Sequence, residues 1–260
     1  LVIFFGYPIC RLFNLRFPNV AVRAIGHLCI DVDCYLKEGI LGLHPDYNAV
    51  LLASRKHVAN AHMLDYWEKH LKVIRSPLIC ALLRPLTESR YTQYYVHRYS
   101  SRIGMKADAY EIHRRFAGRP PLLSLTDSDS ARGWALLHEL GIPRDAWFVC
   151  VHARENGYTP DDSQSYRNSD IKDYFPAIRS IIDRGGWVIR VGDSTMKPIP
   201  EMDHVIDYVH LPIRSDWMDI FLAASCRFFF GCTSGLYCLA HVFGRPSVTV
   251  NKAPLSFVLP

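Results

Sequence analysis

The sequence lacks two features that would assign it to a common class of protein. It has no long run of lysine or arginine, and a net charge of +5 over 260 residues argues against a nucleic-acid-binding stripe while still allowing a basic cleft for phosphates. It also has no zinc motif, because the spacing of Cys226, Cys232 and Cys238 matches none. The eight cysteines lie in apolar stretches, which is typical of small buried residues in a reducing compartment. We therefore predict no metal site and no cofactor.

A bilayer-spanning stretch is also missing. The first nine residues, "LVIFFGYPI", are too few to cross a membrane, and they are either the tail of a longer hydrophobic segment or a core strand. The chain has no initiator methionine and no helix after its last strand, so we expect a fragment cut at both ends. The apolar start and the mild positive charge lead us to expect a cytoplasmic protein attached peripherally to the inner membrane.

The pattern that is present alternates strands with helices. In the first half, "VAVRAIG", "AVLLAS" and "KVIRS" are predicted strands, and "HLCIDVDCYLKEG" and "HMLDYWEKHL" are predicted helices. "GRPPLLSLTDSD" is a predicted linker because its prolines and Asp/Ser clusters break regular elements. We therefore predict two domains, at residues 1–125 and 126–260.

The second half alternates more clearly. "AWFVCVHA", "WVIRVGD", "HVIDYV", "RFFFG" and "SVTVN" are predicted strands. Asp170 and Ser215 are predicted to cap two of the helices between them. Strands separated by helices of this length indicate a parallel sheet covered on both faces, so the fold class is α/β.

Polar residues follow each strand of the second half, at the edge where open parallel sheets bind ligands. We expect these residues to meet at one ligand-binding pocket: His152, Arg154, Arg190, Gly192, Asp193, Thr233, Ser234 and Gly235.

Thr233, Ser234 and Gly235 come at the start of a predicted helix, where unpaired N–H groups and the helix dipole favour a diphosphate. The structural alternative is that Ser234 only caps the helix. Arg154 follows a buried strand and can bind a phosphate through two hydrogen bonds, or it can be an exposed residue paired with Glu155.

Other positions have equally open alternatives. Arg167 and Asn168 are predicted to contact one of two substrates, a group donor or its acceptor, or to be plain loop residues. Asp193 is either a turn residue or a ligand for a sugar hydroxyl. In the first half, Gly26 allows close backbone approach, and His27 is either a general base toward an acceptor hydroxyl or a partly buried structural histidine.

Several stretches together resemble a family of bacterial glycosyltransferases from surface-polysaccharide loci: "RAIGHLCIDVDCYLKEG", "VCVHARENGY", "YRNSDIKDYFPAI", "GGWVIRVGD" and "FGRPSVTVN". The resemblance implies a GT-B-like fold, with two Rossmann-like domains and parallel sheets facing a cleft. It also implies an acceptor-side first domain and a nucleotide-sugar-binding second domain. The His-x-Arg after a strand is similar to fucosyltransferase-like enzymes, which implies that Arg154 contacts the donor diphosphate.

These observations predict transfer of a sugar from a nucleotide-diphosphate donor to a hydroxyl of a glycan or glycolipid. No metal is needed if Arg154 stabilises the leaving diphosphate. Two alternatives stay open. A sugar-nucleotide epimerase would use His27 and Glu155 as its acid/base pair, and a non-catalytic sugar- or nucleotide-binding protein would bind the donor without turnover.

Overall fold

The computed structural model describes residues 2–89, 93–94, 106–157 and 162–252. Two compact units divide the chain between Arg119 and Pro120. The roles predicted for the two domains and their boundary at residue 125 stay predictions.

The first unit is built on a parallel sheet. Among the described residues the strand order is β3-β2-β1-β4, with β1 paired in register so that Leu15 faces Asn48. The strands are β1 (Leu15–Pro18), β2 (Asn48–Leu52), β3 (Lys72–Ile74) and β4 (Gln93–Tyr94). The helices are α1 (Val2–Leu12), α2 (Ile25–Ile40), α3 (Met63–Trp67), α4 (Pro77–Glu88) and α5 (Lys106–Phe116).

The predicted first strand, "VAVRAIG", was wrong. The strand lies earlier, at β1, and ends at Pro18, which has no N–H to continue a sheet ladder. The residues that follow form two tight turns, from the Val22 N–H to the Val20 carbonyl (2.8 Å) and from the Ala24 N–H to the Ala21 carbonyl (2.9 Å). These turns bring the chain directly into α2, which was predicted.

The apolar start of the chain is the helix α1, so of its two predicted alternatives the core strand was wrong. Cys10 of α1 packs with Phe17, Val50 and Leu86 in a small buried cluster. The exposed apolar residues of α1 are Ile3, Phe4, Phe5, Ile9 and Leu12. No helix in the part of the chain that the structure describes is long and apolar enough to cross a membrane.

The second unit contains a five-stranded parallel sheet of order β7-β6-β5-β8-β9. Its strands are β5 (Phe148–His152), β6 (Trp187–Arg190), β7 (Val205–Asp207), β8 (Phe228–Gly231) and β9 (Ser247–Thr249). Its helices are α6 (Asp127–Glu139), α7 (Phe175–Ile182), α8 (Asp216–Ser225) and α9 (Leu236–Val242). The predicted strands of this half are all present, and the predicted α/β class with parallel sheets is confirmed.

The two predicted helix caps differ in outcome. The Asp170 carboxylate accepts from the Lys172 N–H at 2.9 Å, but it caps a 3-10 turn, Ile171–Tyr174, immediately before α7. Ser215 is the N-cap residue of α8, yet its side chain makes no capping bond. Its hydroxyl donates to the Ile213 carbonyl at 3.2 Å instead.

Candidate functional site

The carboxyl ends of β5 and β8 meet at the middle of the second sheet. The Cys232 N–H donates to the His152 carbonyl at 3.2 Å, and the Arg154 N–H donates to Cys232 Sγ at 3.1 Å. A Cβ at Gly231 would lie 2.4 Å from the His152 carbonyl oxygen, so only glycine permits this approach. Because β5 lies between β6 and β8, this is the topological switch point, where open α/β sheets bind ligands.

Arg167 bonds to the turn that follows β8. Its Nε and Nη2 donate to the Thr233 carbonyl at 3.0 and 2.8 Å, and its Nη1 donates to Gln164 Oε1 at 2.7 Å. All of these partners are neutral oxygens, and no carboxylate pairs with Arg167 among the described side chains. The guanidinium is half-buried, so it brings a positive charge to the switch point.

Arg154 belongs to the same network. Its Nη1 donates to the Gln164 carbonyl at 2.9 Å and to Asn168 Oδ1. Burial and the positive charge of Arg167 both lower the pKa of Arg154. Gln164 therefore joins the two guanidiniums, since its carbonyl binds one and its side chain binds the other.

The hydroxyls of the Thr233–Ser234 turn differ in their contacts. Ser234 Oγ accepts from the Leu236 N–H at 3.3 Å, a local bond at the start of α9. The N-cap residue of α9 is Gly235 rather than Ser234, and the helix has no side-chain capping bond. Thr233 Oγ1 is buried and has no hydrogen-bond partner in the described structure. Leaving a buried hydroxyl without a partner costs about 1–3 kcal/mol, so Thr233 is the stronger candidate for a ligand contact.

Arg190 is buried between carboxylates. Its side chain is 1% exposed and donates to Glu155 Oε1 at 2.9 Å, to Asp207 Oδ1 at 3.1 Å and to the Lys197 carbonyl at 2.7 Å. These bonds connect β6 to β7 and to the segment after β5. The structure thus gives Arg190 a structural role that the sequence analysis missed, and its predicted donor contact stays a prediction.

The other residues predicted to bind the sugar-nucleotide donor also follow strands of the second sheet. His152 is buried, and its Nδ1 lies 2.9 Å from the Val191 carbonyl. Burial lowers the pKa of His152 to about 4, so the ring is neutral and donates to that carbonyl. Asp193 Oδ1 accepts from the Thr195 N–H at 2.9 Å, a turn contact. A Cβ at Gly192 would lie 2.4 Å from Met196 Sδ.

The residues predicted for the acceptor side separate into two groups. Arg167 and Asn168 lie in the second unit with Arg154 and Thr233. Gly26 and His27 lie in the first turn of α2, which follows β1 in the first unit. His27 Nδ1 is 3.1 Å from Asp31 Oδ2, one helical turn away.

Sequence reasoning missed Gln164, which lies in the 3-10 segment Asp162–Arg167. The one signal for it is its position three residues before Arg167, which places the two side chains on one face of a turn. No group of three or more metal-ligating side chains occurs in the described ranges.

No protein-family model and no curated protein matches the sequence. Solved structures do resemble the fold. The ADP-heptose lipopolysaccharide heptosyltransferase II of Escherichia coli aligns over 91% of this chain and 84% of its own, with a TM-score of 0.54 and 12% identity. A family 9 glycosyl transferase of Veillonella parvula aligns over 90% of this chain and 79% of its own, with a TM-score of 0.54 and 10% identity. The predicted GT-B-like layout of parallel sheets is confirmed at the level of fold.

Proposed function

We propose that this protein is a glycosyltransferase that moves a sugar from a nucleotide-diphosphate donor to a hydroxyl acceptor in surface-polysaccharide or glycolipid synthesis, without a metal ion. The fold similarity to a heptosyltransferase named for ADP-heptose and to a family 9 glycosyl transferase supports this class. The residues of the second unit argue for the donor site.

One observation carries the proposal: Arg154 and Arg167 share Gln164 at the switch point, and the described partners of Arg167 are neutral. Two guanidiniums in one network repel each other, and burial raises the cost of their charges. A bound diphosphate would relieve both effects. The unpartnered hydroxyl of Thr233 would donate a further hydrogen bond to a phosphate oxygen.

The chemistry follows from that arrangement. The acceptor oxygen attacks the anomeric carbon of the donor, and the bond from that carbon to the diphosphate oxygen breaks. The electron pair leaves with the nucleoside diphosphate, whose charge Arg154 and Arg167 stabilise. The acceptor proton goes to a base, and we assign that role to His27 of the first unit. Arg167 and Asn168 are assigned to the donor side because they contact Thr233 and Arg154.

The epimerase alternative has less support. It needs Glu155 as an acid or base, but Oε1 of that carboxylate accepts from Arg190 and Oε2 accepts from the Lys197 N–H. The binding-only alternative uses the same pocket and differs only in turnover.

Calorimetry with a panel of ADP-, GDP- and UDP-sugars, followed by a product assay, tests the proposal. We expect one donor to bind, and Arg154→Ala to lose about 100- to 1,000-fold in turnover while staying folded. Arg179→Ala, which removes an exposed arginine on α7, is the matched control and should keep full activity. Binding without product would leave a binding protein, interconversion of donor sugars would indicate an epimerase, and normal turnover of Arg154→Ala would reject the site.

We also propose that the protein acts at the cytoplasmic face of the inner membrane, on an acceptor held there. An exposed apolar surface on α1 and α4, which pack together, supports this. We call it the α1/α4 surface, and its most exposed members are Phe4, Phe5, Leu12, Leu78 and Leu82. Helix α1 has no acidic residue in its first turn and has Arg11 in its last. Apolar side chains beside a basic residue suit an anionic bilayer.

Sedimentation with phosphatidylglycerol-containing vesicles tests this surface. The double variant Phe4→Ser, Phe5→Ser should bind vesicles at least about tenfold more weakly. Each phenylalanine contributes roughly 1.5–3 kcal/mol when fully buried, so partial burial of the two already exceeds the ~1.4 kcal/mol of a tenfold change. Val248→Ser, which changes an exposed apolar residue of the second unit, should bind as the unaltered protein does. Equal binding by the double variant would reject the surface.

A further inference from the structure

A half-exposed histidine and a buried carboxylate form a pair on α2. His27 Nδ1 lies 3.1 Å from Asp31 Oδ2, and the side chains are 36% and 3% exposed. Residues four apart on a helix lie one above the other on the same face. The carboxylate is therefore fixed in the interior, while the imidazole extends from it toward the surface.

The fold fixes this pair at a position suited to binding. β1 is the inner strand between β2 and β4, so the chain that leaves its carboxyl end reaches the switch point of the first sheet. Two hydrogen bonds hold the segment after β1 and the first turn of α2 in place. The Ala59 N–H donates to the Val22 carbonyl at 2.9 Å, and Trp67 Nε1 donates to the Leu28 carbonyl at 3.0 Å.

We propose that Asp31 is the positioning residue for His27, the base of the transfer reaction. This inference rests on the proposed function. Asp31 accepts the Nδ1–H of His27, which fixes the tautomer whose Nε2 carries the lone pair. Nε2 then takes the proton of the acceptor hydroxyl as its oxygen bonds to the anomeric carbon and the diphosphate leaves with the bonding electrons. The Asp31 carboxylate stabilises the imidazolium that forms.

A second acid on the same helix shows what a purely structural arrangement looks like here. Asp33 is 0% exposed and bonds Lys37 Nζ at 2.7 Å and His113 Nε2 at 2.9 Å, and both partners are buried too. His113 also contacts the Ala109 carbonyl of α5 at 2.7 Å. Every group of that cluster points into the interior, whereas His27 has more than a third of its side chain in solvent.

Three elements bring charged groups near His27: α2 itself, α5, which packs against α2, and α3, whose Trp67 bonds to α2. On α2 they are His27, Asp31, Asp33, Lys37 and Glu38. Among the described side chains of α5 they are Glu111, His113, Arg114 and Arg115, and Glu111 pairs with both arginines. On α3 the charged group is Asp65, which pairs with His62 and Arg75. Lys37 and His113 both bond to Asp33, and Asp31 is the described carboxylate that bonds to His27. Its replacement should change the proton affinity of His27 more than replacement of any other acid in this set.

The test compares Asp31→Asn with Asp33→Asn in the full chain. Asp31→Asn should lower kcat by at least 100-fold, within the usual range for general-base catalysis, and leave donor affinity unchanged. Removing the negative charge lowers the pKa of the imidazole, so the acid limb of the kcat profile should move to lower pH. Asp33→Asn should lower stability and leave that limb in place.

Nuclear magnetic resonance of the unaltered protein gives a readout that needs no variant. The ¹⁵N shifts of His27 should show a protonated Nδ1 and an unprotonated Nε2. The opposite tautomer, or an unmoved acid limb in Asp31→Asn while His27→Ala is inactive, would overturn the role of Asp31 alone. Failure of every nucleotide sugar to bind would instead reject the proposed function, so the two failures are distinguishable.

Discussion

In each unit the strand that comes first in the chain lies inside the sheet. β1 has β2 on one side and β4 on the other, and β5 lies between β6 and β8. The segments that follow β1 and β5 therefore reach equivalent switch points. After β5 the chain supplies Arg154, with Arg167 close by. After β1 it supplies His27, whose nearest described charge is a carboxylate.

Under the proposed function, the shared topology would provide the place for each site and the local residues would provide its chemistry. The second unit gathers positive charge, which suits an anionic leaving group. The first unit pairs an imidazole with a carboxylate, which suits proton transfer. Each unit also contains a buried cluster of ion pairs, at Arg190 and at Asp33, whose described contacts are all with other groups of the protein.

The largest effect should come from the buried ion pairs of Arg190. Arg190→Ala leaves Glu155 and Asp207 without their shared cation, so we expect a loss of about 3–5 kcal/mol in the free energy of unfolding. Urea denaturation measures it, with Arg179→Ala as the exposed control. A loss below about 1 kcal/mol would mean that Arg190 stabilises the fold no more than a surface ion pair does. The contrast between Arg190, which stabilises the fold, and Arg167, which is proposed to bind the donor, would then fail.

Arg167→Ala should have the opposite profile, with stability largely kept and function lost. We expect kcat/KM for the donor to fall by about 100- to 1,000-fold. Arg167→Lys should be intermediate, because lysine keeps the charge but has one nitrogen, whereas Nε and Nη2 of Arg167 both donate to the Thr233 carbonyl oxygen. Steady-state kinetics with the donor found by calorimetry measures both. Equal activity of the lysine variant would show that charge alone is required.

The sequence predicted the second unit better than the first for a physical reason. The buried strands of the second unit are continuous apolar runs ended by glycine or polar residues, so their positions can be read from the pattern. β1 is only four residues long and ends at Pro18, and the β-branched residues after it form turns. Local propensity therefore placed the strand too late.

The same limit applies to the sites. Residues at strand ends, such as Arg154 and Thr233, follow from the rule for parallel sheets. The contact between Arg167 and the Thr233 carbonyl spans 66 positions, and no periodicity encodes it. The pairing of Asp207 with Arg190 likewise depends on the position of β7 beside β6 in the sheet, and the sequence pattern does not determine that position.

A smaller difference between the units should appear in acid. Burial lowers the pKa of His152 to about 4, whereas an unfolded histidine titrates near 6.5. The folded state therefore excludes a proton that the unfolded state binds, and stability should be full above about pH 6.5 and fall by roughly 3 kcal/mol by about pH 4. Urea unfolding at several pH values measures this.

His152→Asn separates that contribution from others, since the amide can still donate to the Val191 carbonyl and does not titrate. Its stability should change less between pH 7 and pH 4. In the first unit, burial alone would raise the pKa of Asp33, but its bonds to His113 and Lys37 outweigh burial and lower it. The stability that the lowered pKa of Asp33 provides is present above about pH 4 and is lost only in stronger acid. If the free energy of unfolding of His152→Asn fell with pH as steeply as that of the unaltered protein, the assignment of this pH dependence to His152 would be wrong.

The smallest effect should distinguish two helix caps, one in each unit. In the second unit Thr126 Oγ1 accepts from the Asp129 N–H at 3.1 Å, and Asp127 and Asp129 add negative charge to the first turn of α6. In the first unit Ser76 Oγ accepts from the Ile79 N–H at 3.4 Å, and the first turn of α4 has no acid. Thr126→Ala should therefore cost about 1 kcal/mol in the free energy of unfolding, and Ser76→Ala should cost less. Urea denaturation of the two variants measures the difference, and an equal or larger loss in Ser76→Ala would show that bond length and local charge do not rank these caps.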